Sequence, residues 1–269
     1  MLEGKTYGPV LLRVTHERVI DFVAVTLDAA ERWTEFAPPG WAAAVLFAVA
    51  PSLLGDPELG ELTRSVIHGE QRFGWEAPIP IGAELEVTGQ IARVRQRGDR
   101  YFVNFEVAAK ENGATLVRGS STFLMAASGV AEVPEEEIEE PEVTFRGVND
   151  PIDSDSGSGP FRRSASRADL VRYAAATGDW NPIHWDHASA VTAGLPGVAV
   201  HGLLQTAWLL SFAGRQRRNP APIVEARCRY RSPLLAGRQG VITGSSAAGS
   251  DWLLVEEDRE VARATVTLR

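Results

Sequence analysis

The N-terminal half of the chain begins with two helical patterns and continues with alternating segments. Apolar residues recur at helical spacing over residues 15–35, and residues 41–54 form an almost continuous apolar run. The segments that follow alternate between apolar and polar residues, which is typical of strands with one buried side. They predict strands near residues 63–76, 83–97, 100–111 and 115–126. Asn112-Gly113 separates the last two strands and favours a hairpin turn, because both residues tolerate a positive φ.

The C-terminal half shows the same order of patterns. Ser166 is suited to cap a helix over about 167–176, and a long apolar helix is predicted over 202–214. Between them lie a loop at 177–186, punctuated by Gly and Pro, and a short helix near 187–193. The predicted strands are 223–232, 238–247, 251–258 and 260–268. Helices followed by a four-strand meander, in both halves, predict an α+β fold with antiparallel sheets.

An internal repeat relates the two halves. A shift of 155 residues places residues 70–82 over 225–237, and each copy predicts a strand, a Pro-containing bend, a Gly turn and another strand. The identical pairs are Glu70/Glu225, Arg72/Arg227, Pro78/Pro233, Gly82/Gly237, Thr88/Thr243 and Gly89/Gly244. Residues 22–28 also match 173–179 at a shift of 151. This order of matches predicts a duplicated domain whose two sheets join edge to edge.

The residues between the halves have a composition unsuited to a packed core. Residues 132–142 are rich in Glu, and 150–159 are rich in Asp, Ser and Gly, so neither segment can bury much apolar area. We therefore expect an N-terminal domain over 1–130, an acidic, Ser/Gly-rich linker over 131–160 and a C-terminal domain over 161–269. A chain of 269 residues with 44% hydrophobic content is long enough to form two cores.

Charge and cysteine content narrow the class of protein further. The formal net charge of −8 argues against binding to nucleic acid or to an anionic membrane surface. The single cysteine, Cys228, excludes a disulfide framework. The N-terminal residues do not resemble a signal peptide, and the apolar run at 41–54 is too short to span a bilayer. We therefore expect a cytoplasmic protein.

The loop after the first helix of the C-terminal half contains the strongest indication of chemistry. Within six residues it holds the carboxylate of Asp179, the carboxamide of Asn181 and the imidazole of His184. Asp and His can transfer protons, and Asn can orient a donor or an acceptor. Gly178 and Pro182 favour a rigid turn around them. Taken alone, the Asp-x-Asn-Pro pattern is also typical of an ordinary turn after a helix.

A second indication is His201-Gly202 at the start of the apolar helix. A glycine there leaves the backbone N–H groups accessible, and the helix dipole adds partial positive charge, so the site is suited to stabilise an oxyanion. Arg217 and Arg218 follow the end of this helix and suit either capping of its C-terminus or binding of a carrier's phosphates. The five histidines form no cluster with metal-ligand spacing, so we expect no metal and no other cofactor.

Over about forty residues the chain resembles the MaoC-type (R)-specific enoyl-thioester hydratases and 3-hydroxyacyl-thioester dehydratases. The residues that carry the resemblance are Tyr173, Gly178, Asp179, Asn181, Pro182, His184, Ala190 and His201-Gly202. It implies a double hot-dog fold, in which each half has a long central helix wrapped by a curved antiparallel sheet. It also implies that Asp179 and His184 form a catalytic dyad supported by Asn181. The Gly202 amide would polarise the thioester carbonyl.

The N-terminal half lacks this set of residues. The matched pairs, counted from Asp28 as from Asp179, are Trp33/His184, Ala30/Asn181 and Leu27/Gly178. The imidazole, the carboxamide and the flexible turn are therefore expected to be absent from that half. We expect one active site per chain, in the C-terminal half, with the N-terminal half forming part of the acyl pocket.

The resemblance thus implies a hydro-lyase that hydrates trans-2-enoyl thioesters of CoA or acyl-carrier protein to (R)-3-hydroxyacyl thioesters. Two alternatives stay open: a hot-dog thioesterase, and a non-catalytic subunit that binds acyl chains. Aromatic residues near the motif suit either a pocket or a core, namely Trp180, Trp185, Trp208 and Phe212. The sequence leaves open the acyl chain length, the carrier, the physiological direction and the formation of a homodimer.

Overall fold

The structure is a computed structural model that describes residues 2–126, 161–215, 217, 221–244 and 251–269. The predicted linker lies outside the described residues, as do Arg218 and the end of the strand predicted at 238–247.

The described residues form five α-helices and ten β-strands. The helices are α1 (His16–Thr26), α2 (Ala42–Leu54), α3 (Arg167–Thr177), α4 (His187–Thr192) and α5 (Gly202–Gly214). The strands are β1 (Thr6–Arg13), β2 (Ser65–Trp75), β3 (Glu84–Arg97), β4 (Arg100–Glu111), β5 (Ala114–Ala126), β6 (Phe161–Arg163), β7 (Ile223–Tyr230), β8 (Gly240–Gly244), β9 (Asp251–Glu256) and β10 (Arg259–Leu268). None of the described helices is long and apolar enough to cross a membrane.

All ten strands belong to one antiparallel sheet, in the order β1-β3-β4-β5-β2-β7-β10-β9-β8-β6. Outward from the centre, the strands of the N-terminal half occur in the order β2, β5, β4, β3, β1. The equivalent strands of the C-terminal half occur in the order β7, β10, β9, β8, β6. At the centre β2 pairs with β7, and Arg72 lies opposite Arg227. These two arginines are equivalent in the 155-residue repeat, so a pseudo-twofold axis passes between them. The predicted edge-to-edge union of the sheets is therefore confirmed.

Each half contains one long helix against the inner side of the sheet. α2 packs against β1, β3, β4 and β5, and α5 packs against β7, β9 and β10. All side chains of α5 from Leu203 to Leu210 are buried, as expected of a helix that is apolar on every side. The buried side chains of both halves form one continuous core. This arrangement confirms the predicted α+β class and the double hot-dog architecture.

The helix predicted over 15–35 is wrong in its second half. α1 ends at Thr26 because Leu27 adopts a left-handed conformation with φ of 56°, and only a short 3-10 turn follows, at Ala30–Arg32. Leu27 matches Gly178, whose φ is 91°. The N-terminal half therefore keeps the turn that it was expected to lose. A side chain in this conformation costs roughly 1–2 kcal/mol.

The predicted order of a simple four-strand meander is also wrong. β3, β4 and β5 do form a meander, but β2 pairs with β5 and β7 rather than with β3. The bend between β2 and β3 instead pairs with residues 35–37, as in the bond from the Ala37 amide to the Ile79 carbonyl, 2.9 Å. This pairing leads the chain from the centre of the sheet, where β2 lies, to the outer part of the N-terminal half, where β3 pairs with β1 and β4. The edge strands β1 and β6 were missed, because β1 contains Gly8-Pro9 and β6 has three residues.

Gly40 lies at a close contact between the two halves. A Cβ at this position would lie 2.8 Å from the Ala207 Cβ and 3.0 Å from the Ala207 Cα, within α5. We expect Gly40→Ala to lower the free energy of unfolding by about 2 kcal/mol, because a helix backbone cannot move aside without disturbing the core. Urea denaturation measures this change. Gly74→Ala is a matched control, since its nearest neighbour would be 4.0 Å away, and an equal loss in both variants would contradict the close packing.

Candidate active site

The loop at residues 178–186, between α3 and α4, is held at its entry by local structure and by the other half. Ser166 and Asp169 cap α3 with reciprocal hydrogen bonds, as the sequence predicted for Ser166. α3 ends at Gly178 in a left-handed conformation. A Cβ on Gly178 would lie 3.4 Å from the Cβ of Phe47 in α2. The N-terminal half therefore backs this loop directly.

Asn181 holds the middle of the 178–186 loop. Its Oδ1 accepts a hydrogen bond from the Ile183 amide at 3.4 Å, which caps a short 3-10 turn, Pro182–His184. Its Nδ2 donates to the carbonyl of Val66 in β2 at 3.4 Å. Its backbone amide donates to Asp179 Oδ1 at 3.4 Å. Asn181 thus ties the loop to the N-terminal half and orients the neighbouring carboxylate.

The side chains of Asp179 and His184 meet in one place. A carboxylate oxygen of Asp179 and ring nitrogens of His184 and His201 lie within 4.8 Å of one another. The exposed fractions of these residues are 6%, 8% and 0%. The structure therefore brings the carboxylate and the imidazole together in a buried setting, and it adds His201, which the sequence had indicated only as the residue before Gly202.

Hydrogen bonds orient both imidazole rings. His184 Nδ1 lies 2.7 Å from the carbonyl oxygen of Ala199. Because a carbonyl can only accept, Nδ1 carries the proton and Nε2 keeps a free lone pair. His201 stacks on this ring at 3.8 Å, and its Nε2 donates to the backbone carbonyl of Asp179 at 3.2 Å. The second ring therefore supports the first and fixes the backbone of the carboxylate residue.

Burial sets the protonation states of the pair. It raises the pKa of the Asp179 carboxyl to about 7, against the smaller effect of the Asn181 backbone hydrogen bond. Burial also lowers the pKa of His184 to about 4, against the hydrogen bond to Ala199. Near neutral pH, His184 is therefore neutral and Asp179 exchanges a proton readily. A carboxyl with its pKa near the working pH is suited to general acid–base chemistry.

The start of α5 lies beside these groups. α5 begins at Gly202 after His201, whose side chain makes no capping hydrogen bond within the described part of the chain. The first amides of a helix have no intrahelical acceptor, so they can donate to an oxyanion. A Cβ on Gly202 would lie 3.0–3.1 Å from the ring of Tyr230, whose hydroxyl is 2.7 Å from Thr206 Oγ1. Only glycine lets the tyrosine cover this helix start, a contact that the sequence did not indicate.

Arg217 is not brought to this group of residues. It is exposed beyond the end of α5, whose 13 residues span about 20 Å from Gly202. Arg32 makes the contacts at this end, with its guanidinium donating to the Gly214 carbonyl at 3.0 Å and to the Arg217 carbonyl at 3.4 Å. Contacts from Arg217 and Arg218 to a carrier's phosphates stay a prediction.

The N-terminal counterpart of the site is different. Asp28 is 9% exposed, and its Oδ1 accepts the amide of Ala29 at 2.8 Å. Trp33, which matches His184, is buried in the core. The position that matches His184 therefore supplies no imidazole to Asp28, and the Asp28 carboxylate stabilises the turn in which it lies.

Asp179, His184 and His201 are also a possible ligand set for a divalent cation, since carboxylate and imidazole are common metal ligands. The same three groups can hold a water molecule instead. Sensitivity of the activity to chelators distinguishes the metal site from the water site.

Residues 135–252 match the model of a family described as "MaoC like domain". This segment, 118 of the 269 residues, is similar to a MaoC-like domain. The UPF0336 protein of Streptomyces griseus is 25% identical over 136 residues, which cover 46% of this chain and 91% of that protein. The peroxisomal multifunctional enzyme type 2 of Drosophila melanogaster is 26% identical over 191 residues, which cover 65% of this chain and 29% of that enzyme.

Solved structures resemble both halves of the chain. HtdX of Mycobacterium tuberculosis superimposes with a TM-score of 0.74 at 19% identity, covering 97% of this chain and 99% of that one. The full-length Drosophila enzyme superimposes with a TM-score of 0.66 at 21% identity, covering 96% of this chain and 48% of that one. At such low identity these likenesses show the shared fold alone.

The buried carboxyl of Asp179 should make stability depend on pH. The unfolded chain releases this proton near pH 3.8 and the folded protein near pH 7, so the free energy of unfolding falls as pH rises between these values. Asp179→Asn removes this dependence. Relative to the unsubstituted protein, its free energy of unfolding should rise by about 3 kcal/mol between pH 5 and pH 8. Urea denaturation at both pH values measures the difference.

Asp186→Asn provides the control for this experiment. Hydrogen bonds from Ser189 hold the pKa of the Asp186 carboxyl below its ordinary value, so this substitution should show little change over the same pH range. A constant difference between Asp179→Asn and the unsubstituted protein from pH 5 to pH 8 would contradict a raised pKa at Asp179.

Proposed function

We propose that the protein is a hydro-lyase that adds water to trans-2-enoyl thioesters and removes it from (R)-3-hydroxyacyl thioesters of CoA or acyl-carrier protein. The observation that carries the proposal is the buried group of Asp179 and His184 within 4.8 Å, beside the glycine start of α5. Hydration of a conjugated thioester needs a base for water, a proton for Cα and a donor for the carbonyl oxygen. Each requirement has a candidate group in this site.

Asp179 is the base in this proposal and His184 positions the water. The neutral His184 accepts one hydrogen of the water at Nε2, and the Asp179 carboxylate accepts the other. As the water oxygen bonds to Cβ, its proton passes to Asp179, and the π electrons move towards the thioester carbonyl. Asp179 then delivers that proton to Cα on the same face of the substrate. This syn addition restores the carboxylate and balances without any further reactant.

The start of α5 stabilises the enolate oxygen that forms during this addition. The Gly202 amide is the proposed donor, because the first amides of a helix are free and the helix dipole is positive there. A preorganised donor of this kind contributes roughly 3 kcal/mol to transition-state stabilisation.

The N-terminal half forms a wall of the site in this proposal. Its contacts with the 178–186 loop, from Phe47 to Gly178 and from Val66 to Asn181, support this arrangement. The matched positions in the N-terminal half, Trp33 and Ala30, cannot reproduce the dyad, so we propose one active site per chain. The MaoC-like domain and the likeness to a multifunctional enzyme of Drosophila support an enzymatic role.

Asp179→Asn and His184→Ala should each lower the rate of hydration of a short enoyl-CoA by at least 100-fold, because each removes a group that contacts the water. The loss of ultraviolet absorbance of the conjugated double bond measures the rate. His187→Ala and Asp186→Asn are matched controls outside the dyad and should stay near the unsubstituted rate. Chelators should leave the rate unchanged.

Three outcomes would contradict this function. Near-normal hydration in either dyad variant would exclude the dyad. Release of free thiol from acyl-CoA would indicate a thioesterase, and binding of acyl-CoA without turnover would indicate a non-catalytic subunit.

The pH dependence should reveal which group is the base. With Asp179 as the only proton carrier, kcat/KM for hydration should rise as pH increases through about 7 and then stay level, since the carboxylate is the active form. If protonated Asp179 were the acid and His184 the base, the active form would exist only between about pH 4 and pH 7. A decline of kcat/KM above pH 7 would therefore reverse the assigned roles.

A further inference from the structure

His68 is an imidazole of the N-terminal half whose ring nitrogen Nε2 is buried. Among the described residues, this atom has no hydrogen-bond partner. A buried polar atom left in this state destabilises the folded protein. Where such an atom lies beside a candidate site, it is available to a water molecule or to a ligand.

Three contacts place His68 beside the candidate active site. It lies on β2 two residues after Val66, whose carbonyl accepts the hydrogen bond from Asn181. Its ring contacts Tyr230 edge to face, with centroids 5.2 Å apart, and Tyr230 covers Gly202 at the start of α5. His68 is therefore next to both the 178–186 loop and the proposed oxyanion site.

The electrostatic setting supports the same placement. Burial lowers the pKa of His68 to about 4, and His184 lies close enough to lower it further, while interactions with Gln71 and the Glu70 backbone oppose the shift. The ring is therefore neutral at pH 7. The dyad accepts both hydrogens of the water in the proposed function, so His68 can bind the same oxygen only as a donor, in the tautomer that carries the proton on Nε2.

The repeat provides an independent argument. The position equivalent to His68, 155 residues further on, is Ile223, which is buried. The site of the C-terminal half would thus receive an imidazole from the other half, whereas the matched site in the N-terminal half would receive an aliphatic side chain. The repeat creates two pseudo-equivalent sites, one in each half. His68 and the dyad belong to the same site, that of the C-terminal half.

We propose that His68 is a positioning residue whose Nε2–H donates a hydrogen bond to the oxygen that is added to Cβ in hydration and lost from it in dehydration. The inference rests on the proposed function. At the reacting end of the substrate, the thioester carbonyl already has the Gly202 amide as its donor. The Cβ oxygen is the remaining polar group there, and it lies where the dyad holds it.

His68→Phe tests this role, because phenylalanine keeps the ring contacts with Phe123 and Tyr230 but removes the nitrogen. We expect kcat/KM for dehydration of (R)-3-hydroxybutyryl-CoA to fall at least 10-fold. The Kd of butyryl-CoA, which has no oxygen on Cβ, should change less than twofold. His68→Gln keeps a hydrogen-bonding group, so its kcat/KM for dehydration should be at least threefold higher than that of His68→Phe.

His16→Phe, at an exposed histidine of α1, is the control and should behave like the unsubstituted protein. Unchanged dehydration in His68→Phe would overturn the inference. An equal weakening of butyryl-CoA binding would also overturn it, since it would indicate a packing role. An unsubstituted protein that neither hydrates nor dehydrates these thioesters would overturn the proposed function itself, an outcome distinct from the failure of His68 alone.

Discussion

The pairing of β2 with β7 is the interaction on which the rest of the structure depends. It joins two five-stranded halves into one ten-stranded sheet and encloses both central helices in a single core. Charged side chains accompany it, since Glu70 accepts hydrogen bonds from Arg227 at 2.8 and 2.7 Å and from Arg229 at 3.1 Å. The same pairing sets the first residues of β2 beside the loop that contains Asp179. The site is therefore built where the two copies of the repeat meet.

Burial shifts the pKa values of the groups in this site and also lowers the stability of the fold. Removing Asp179 and His184 from water moves their pKa values in opposite directions and leaves a neutral imidazole beside a carboxyl that titrates near pH 7. The same burial leaves polar atoms unpaired within the described residues, among them His201 Nδ1 and the hydroxyl of Tyr173. A core made only for stability would have apolar residues at these positions. These two atoms lie close to Asp179 and His184, since the His201 ring stacks on His184 and contacts the Tyr173 ring at 4.9 Å.

Much of the local structure was predictable, because it depends on neighbours in the chain. The cap at Ser166, the Asn112-Gly113 turn and the bounds of α2, α3 and α5 follow from side-chain capping, from tolerance of positive φ and from apolar periodicity. The end of α1 was missed because Leu27 is not a residue that normally adopts a left-handed turn. The edge strands were missed because they are short or interrupted, so their formation depends on a partner strand.

The sequence by itself determined the duplicated α+β design and the set of Asp179, Asn181 and His184, since these depend on periodicity and on spacing within one loop. Only the tertiary structure decided the strand order and the stacking of His201 on His184. It also decided the position of His68 and Tyr230 beside the site. The physical reason is distance along the chain. His68 and His184 are more than a hundred residues apart, and no local pattern relates them. They come close in the folded protein, where the pairing of β2 with β7 joins the two halves. This pairing is made by backbone hydrogen bonds, so the side chains of one strand do not specify which strand is its partner.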